Sequence, residues 1–456
     1  MLYKKTYLSA ALSVALTMSA GSALAEISAD QVKRLQADLT PVGAERAGNA
    51  DGSIPEWTGG LSEVLPGWPN KDNHRPNPYA EDKAQFTITA ANMDQYKDKL
   101  PEAAKAMLKA YPQEFKMNVY PTRRTAAYPQ SFYDNVAKDA TTAKLTRGGD
   151  AVEGVWAAIP FPIPQNGYEV IWNHLLRYNG VYREASAGEN LVYTNGSRLD
   201  YDFKIDIHHT FHDPKVSDAD RNEGVLWKYS STMSSPSRDA GEGILAMDNI
   251  NFADNPRKAW TYDPGERRVR RAPNLGFDTP DRALNVFDDY ELFSGSPERY
   301  DFKLIGKQEM YIPYNNNEVN SPRHDLKSAL TPGFINADLL RYELHRVWVV
   351  EATVKQGQRH IYAKRRFYID EDTWNVMVTD KYDGNGNLWR VGFGYPVVAS
   401  EMPLTGGGSY VHVDLKKNGY YLAFTSLGKG RKGTDFSGQP PKSSYYTASA
   451  LRRRGR

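Results

Sequence analysis

The chain has 456 residues, no cysteine and a formal net charge of +2. Disulfides and thiolate metal sites are therefore excluded. Lys4 and Lys5 fall in an N-terminal leader, so the remainder is formally neutral, which argues against bulk electrostatic binding to nucleic acid.

The first 25 residues read as a secretory signal. Lys4 and Lys5 form its charged start, Leu8 to Met18 its short apolar core, and Ala23-Leu24-Ala25 a small-x-small cleavage site. The expected mature protein begins at Glu26 and is periplasmic, and no cysteine near the cleavage site is available for lipid attachment. No later stretch approaches the length of apolar sequence that a spanning helix needs.

Residues 26–150 read as helices and extended arms. Ser28 is placed to cap a helix running through Leu39. Thr89 to Tyr111 carries apolar residues at helical spacing, although Pro101 would split or kink that helix. The stretch EFKMNVYPTRRTAAYP reads as one extended arm. Residues 428–456, rich in Gly, Ser, Lys and Arg, read as a basic disordered tail.

Between them, 151–427 is dominated by strands. A helix from about Tyr168 to Tyr178 opens this region, with Ile171, Leu175 and Tyr178 as its inner stripe. Strands follow at 189–194, 198–211, 225–233, 242–249, 257–263 and 266–271, then a short helix near 281–286 and a strand at 299–311. From Arg341 to Val398 four pieces alternate apolar and polar residues. In the first, Tyr342, Leu344, Trp348, Val350, Ala352 and Val354 share one face and Glu343, His345, Glu351 and Thr353 the other, the period of a strand with one wet face. Asp263-Pro264-Gly265 and Asn418-Gly419 mark hairpin turns. Irregular insertions near 272–297 and 312–340 interrupt the series. So many antiparallel strands with few helices predict a mainly β (α+β) fold, a large curved antiparallel sheet or open barrel with covering helices. The helices at 168–178 and 89–111 are the candidates to cover its concave side.

Trp227, Trp260, Tyr262, Trp348, Phe367, Trp374 and Trp389 are the candidate lining of an apolar ligand cavity, with ordinary core packing as the alternative. Arg268, Arg270 and Arg271, in ERRVRRAP, form a candidate basic rim for an anionic headgroup or protein partner, the alternative being a solvated outer strand. His208 and His212 share a strand face but stand roughly 13 Å apart, too far for one metal. In KYDGNGNLW, Asp383, Asn385 and Asn387 begin like a calcium loop, yet the stretch reads better as a turn in which Gly384 and Gly386 supply positive φ. Asp370, Glu371 and Asp372 also read as a turn. No nucleophile elbow, phosphate-binding loop or zincin helix is present. No metal, cofactor or catalysis is therefore expected.

The segments LTPVGAERAGNADGSIPEWTGG, VYPTRRTAAYP, PFPIPQNGYEVIWNHLLRYNG, RYELHRVWVVEATVK and RFYIDEDTWNVMVTDKYDGNGNLWRV resemble those of the domain of unknown function 1329 family, over about Leu39 to Phe424. The resemblance implies secreted proteins of Gram-negative bacteria, akin to outer-membrane lipoprotein-sorting proteins. The implied fold is that of the periplasmic lipoprotein carriers, an open antiparallel barrel whose helices plug its concave face over an apolar cavity. It also implies partners, an inner-membrane transporter and an outer-membrane protein. Together these readings predict a periplasmic carrier or accessory protein for a lipid or other hydrophobic molecule. The alternatives are an interaction subunit that holds no ligand, a hydrolase using His174, His208 or His345, and an outer-membrane barrel.

Overall fold

The computed structural model describes residues 27–455; the signal sequence read at 1–25 lies outside them. Two three-residue strands, β1 (Phe86–Ile88) and β2 (Met117–Val119), and a small hairpin, β3 (Lys144–Thr146) and β4 (Ala151–Glu153), come first. The long strands follow as β5 (Tyr182–Tyr193), β6 (Arg198–His208), β7 (Val225–Ser235), β8 (Gly243–Asn249), β9 (Lys258–Asp263) and β10 (Arg268–Arg271). After an irregular stretch come β11 (Tyr300–Pro313), β12 (Tyr342–Val354), β13 (Lys364–Asp370), β14 (Val376–Tyr382), β15 (Leu388–Ala399), β16 (Leu404–Asp414), β17 (Gly419–Thr425) and β18 (Lys432–Asp435).

All but β3 and β4 join one 16-stranded sheet. From β12 its order runs through β13, β14, β15, β16, β17, β5, β6, β7, β8 and β9 to β10, and β11 pairs with the other side of β12. The ladders are antiparallel except for one parallel bridge between Tyr342 and Val119. β10 and β11 do not pair, so the curved sheet is not closed. The turns are where Gly, Pro and Asn placed them. Of the two glycines in the β14–β15 turn only Gly386 has positive φ, at 78°. There the Asp383 carboxylate accepts from the Asn385 and Asn387 N–H groups, which closes the turn.

Pro101 does break the first predicted helix. A 3₁₀ segment, Met93–Lys99, ends before it and an α-helix, Glu102–Ala110, starts after it with Pro101 at the N-cap. The helix capped by Ser28 stops at Arg34, short of Leu39, and no helix forms at 281–286; 3₁₀ turns occur instead at Phe287–Leu292. The helix Gly167–Leu175 is capped by Asn166, whose side chain accepts the Glu169 N–H. Gly167 lets it approach β11, because a Cβ there would stand 2.6 Å from Phe302 O.

The sheet is covered on both faces. On the inner face Val170 and Ile171 of the helix Gly167–Leu175, with Leu284, Leu292 and Phe293, pack on Phe302, Val350, Phe367, Ile369, Tyr410 and Tyr421. On the outer face Ala104, Met107 and Leu108, with Val319, Phe334 and Ile335, pack on Val347, Val349, Tyr368, Val378, Phe393 and Val411. The two insertions thus serve opposite faces, and the helix within 89–111 covers the outer one rather than the concave side. The expected wet face of β12 is lost at its start. Glu343 and His345 are buried there because the N-terminal arm crosses them. Thr122 Oγ1 donates to Leu344 O (2.8 Å) and the Arg123 N–H donates to Glu343 (2.6 Å).

The C-terminal stretch is not a disordered tail. β18 pairs with β5, and the helix Ala448–Arg454 packs Leu451 with Tyr446 against Leu245 and Tyr262. Apolar residues spaced among the basic ones give that segment a buried side, which its composition hides.

His174 ties the inner helix to the sheet. Its Nε2 meets Phe293 O (3.0 Å), and its Nδ1 lies between the Val376 N–H (3.2 Å) and Trp374 O (3.1 Å). Burial, reinforced by the charge of Arg177, pushes its pKa down to about 3 from 6.5. The unfolded chain therefore binds a proton that the folded chain refuses. The stability this residue contributes is complete above pH 6.5 and is lost as pH falls toward 3, by roughly 3 kcal/mol between pH 6.5 and 4. In urea unfolding at pH 7 and pH 4, His174→Asn should lose less stability on acidification than the wild type by about that amount.

Candidate functional site

The inner face is not filled completely. A cavity of about 120 Å³ lies among β6, β7 and β8 on one side, β16 and β17 on another, and the C-terminal turn of the helix Gly167–Leu175 with the segment 287–295. Its apolar wall includes Leu226, Trp227, Ile244, Phe252, Phe287 and Phe293. An engineered apolar cavity of ~150 Å³ accepts a benzene ring, so this space is ring-sized. The partly exposed Leu275, Ser294 and Gly295 mark its mouth. Arg257 lies there over the Trp227 ring at 5.4 Å and forks onto Asp248 at 2.6 and 2.7 Å.

The opposite end is polar. Arg177, Arg183 and Glu291 meet there, with Arg183 donating to Glu291 at 2.6 Å and Arg177 bonding its other oxygen. Burial would raise the Glu291 carboxyl, but the two guanidiniums outweigh it and hold the group well below the usual carboxylate range. His209 lines the same end, and burial together with Arg183 keeps it neutral. The Arg177–Glu291–Arg183 cluster joins the segment 287–292 to β5 and the inner helix.

Of the sequence-derived cavity candidates, Trp227 lines this space. Trp348, Phe367 and Trp374 sit on the inner face but are packed into the protein. Trp348 stacks on Trp374 at 6.3 Å and Phe367 tilts against Phe293. Trp260 and Tyr262 are covered by the C-terminal segment. Trp389 lies at the start of β15 beside Tyr362, Arg390 and Lys416. Strand alternation identifies a face, whereas later segments decide which part of that face stays uncovered. Arg268, Arg270 and Arg271 lie exposed on β10, which has no partner beyond it, and Arg270 pairs with Glu266. None of the three lines the cavity. The polar cavity residues Asn179, Arg183 and Glu291 carried no motif that sequence alone could flag.

The histidines considered for hydrolysis have other partners. His174 bonds backbone groups, His208 bonds Asp213 (2.8 Å) and His345 bonds Glu343 (3.1 Å), and none of the three lines the cavity. His345, Asp370 and Asp372 place ligand-type atoms within 4.8 Å of one another. However, Arg124 takes both oxygens of Asp372, at 2.9 and 2.6 Å, a cation where a metal would need a free donor. Burial and the neighbouring Asp372 raise Asp370 to about 7, so this group is a charge-balanced network under the N-terminal arm.

Fold and site together define an open, curved antiparallel sheet with a small, mixed apolar and polar cavity on its inner face. The model of the family described as "Protein of unknown function (DUF1329)" matches residues 87–452, and the chain belongs to that family. The uncharacterized protein PA3922 of Pseudomonas aeruginosa is 42% identical over 451 residues, 97% of this chain and 97% of that protein. A DUF1329 family protein from Desulfovibrio piger superposes with a TM-score of 0.43 at 15% identity, over 62% of this chain and 97% of that one. NE2245, a LolA superfamily protein from Nitrosomonas europaea, does so with a TM-score of 0.37 at 10% identity, over 62% and 98%. Among the described residues no helix is long and apolar enough to cross a membrane.

Proposed function

We propose that the protein is an exported binding protein for a small hydrophobic or amphiphilic molecule, held in the inner cavity and passed to or from an envelope transporter. One observation carries this reading: a ring-sized space with an aromatic wall remains on the inner face of an otherwise tightly packed sheet. Segment 284–293 fills the neighbouring part of that face. A long acyl chain would have to displace it, so the ligand is compact rather than a whole lipid.

The reading is tested by native mass spectrometry of the protein lacking residues 1–25, after exposure to an envelope extract. A bound small molecule that Ala246→Phe excludes supports it. Absence of any exchangeable ligand would favour the second reading, an interaction subunit, which the extensive filling of the inner face by the protein's own side chains also suits.

A further inference from the structure

The polar end of the cavity holds more hydrogen-bonding capacity than the protein uses. Asn179 Oδ1, Arg183 Nε, His209 Nε2 and Tyr410 Oη have no partner among the described residues, and all four residues line the cavity. Their exposures are only 4%, 7%, 9% and 2%. Other side chains, such as Tyr342, Arg365 and Tyr395, also bury polar atoms without partners, but these four gather on one cavity, and that clustering points to a bound group.

Glycines make room for them. A Cβ at residue 406 would stand 2.4 Å from Asn179 Oδ1, and one at 407 would stand 2.6 Å from Arg183 Nη1. The charges are also uneven. Arg177, Arg183 and Arg257 face only Glu291 and Asp248 across the cavity. Asp248 is occupied by Arg257, which leaves Glu291 alone between two guanidiniums. Farther out, Arg282 lies with Glu189 and Asp281. Burial and Asp281 raise Glu189 to about 7, so this outer group adds little net charge. The free Arg183 N–H and Tyr410 O–H are donors. The Asn179 carboxamide presents a donor or an acceptor according to its rotation.

We infer that the cavity recognises a compact carboxylate: a single ring-sized apolar body against Trp227 and Phe252, bearing one carboxylate held by Arg183 Nε–H and Tyr410 O–H, with His209 and Asn179 beside it. The inference rests on the cavity being a binding site, as proposed above, and adds the head group. A guanidinium with a neighbouring hydroxyl suits a planar oxyanion better than a neutral amide of equal size.

Isothermal calorimetry on the protein lacking residues 1–25, with benzoate, benzamide and toluene as probes, separates the possibilities. The expected result is benzoate binding at least tenfold more tightly than benzamide, a preference that Arg183→Gln abolishes and Tyr410→Phe reduces severalfold. Tyr410→Phe keeps the ring, so it preserves the test if Arg183→Gln fails to fold. Toluene binding without preference for benzoate would overturn the head-group inference alone, leaving the polar atoms to solvent. Binding of none of the three would overturn the reading of the cavity as a site.

Discussion

Replacing Asp289 by alanine is expected to cost about 3–5 kcal/mol, the penalty for removing one partner of a buried ion pair. It would strand Lys381 and leave Arg365 with Asp288 alone; both cations are 0% exposed. Asp289 lies 2.6 Å from the Lys381 ammonium and 3.2 Å from the Arg365 guanidinium, and it accepts the Tyr362 O–H at 2.8 Å. Burial alone would raise the Asp289 carboxyl, but Lys381, His412 and Arg365 outweigh it and hold the group far below its ordinary range. Lys381, pushed down to about 8 by burial, keeps its proton at neutral pH largely because Asp289 is there. Asp288 adds a second anchor, to Arg365 at 2.5 Å and His360 at 3.0 Å. These bonds, with His412 Nε2 on Asp289 O at 3.0 Å, pin the segment 287–292 to β13, β14 and β16, and residues of that segment line the cavity. Urea denaturation with an unchanged slope is the measurement. A loss under about 1 kcal/mol would show that the segment is not anchored this way. Asp289→Leu combined with Lys381→Met should recover much of the loss, since an apolar pair tolerates burial.

Trp374→Ala is expected to cost about 3–5 kcal/mol as well, through the cavity it would leave in a packed core. The indole donates to Val42 O at 3.0 Å and stacks on Trp348, so it fastens the N-terminal segment to the inner side of the sheet. The Trp348 ring in turn carries the Lys307 ammonium at 4.6 Å. Affinity for a cavity ligand should change little in this variant, because Trp374 does not line the cavity. A small stability loss coupled to abolished binding would return Trp374 to the ligand site.

Much of the architecture is legible from local signals. Alternation in β12 to β15 fixes strands, Asp263-Pro264-Gly265 and Asn418-Gly419 fix turns, and Pro101 divides a helix. These signals act over a few residues, and nothing distant overrides them. What is not legible depends on contacts between distant segments. Alternation places Arg365 on the face of Phe367 and Ile369, and only the arrival of Asp288 and Asp289 makes the burial of its charge and that of Lys381 affordable. Glu343 and His345 fit a wet face until the arm at Thr122 and Arg123 lies across them. The aromatic candidates illustrate the same limit. Trp227, Trp348, Phe367 and Trp374 all occupy or approach the inner face, yet only Trp227 meets open space, because Phe293 and Val42 reach the others first.

The most direct test is a crystal structure of the protein lacking residues 1–25, soaked with bromobenzene, in which the halogen marks the ring's position. One bromine site is expected between Trp227, Phe252 and Phe293, with the segment 287–295 in place. A bromine found only on the surface, or one that enters after that segment has moved out of the sheet, would contradict a preformed, ring-sized binding cavity.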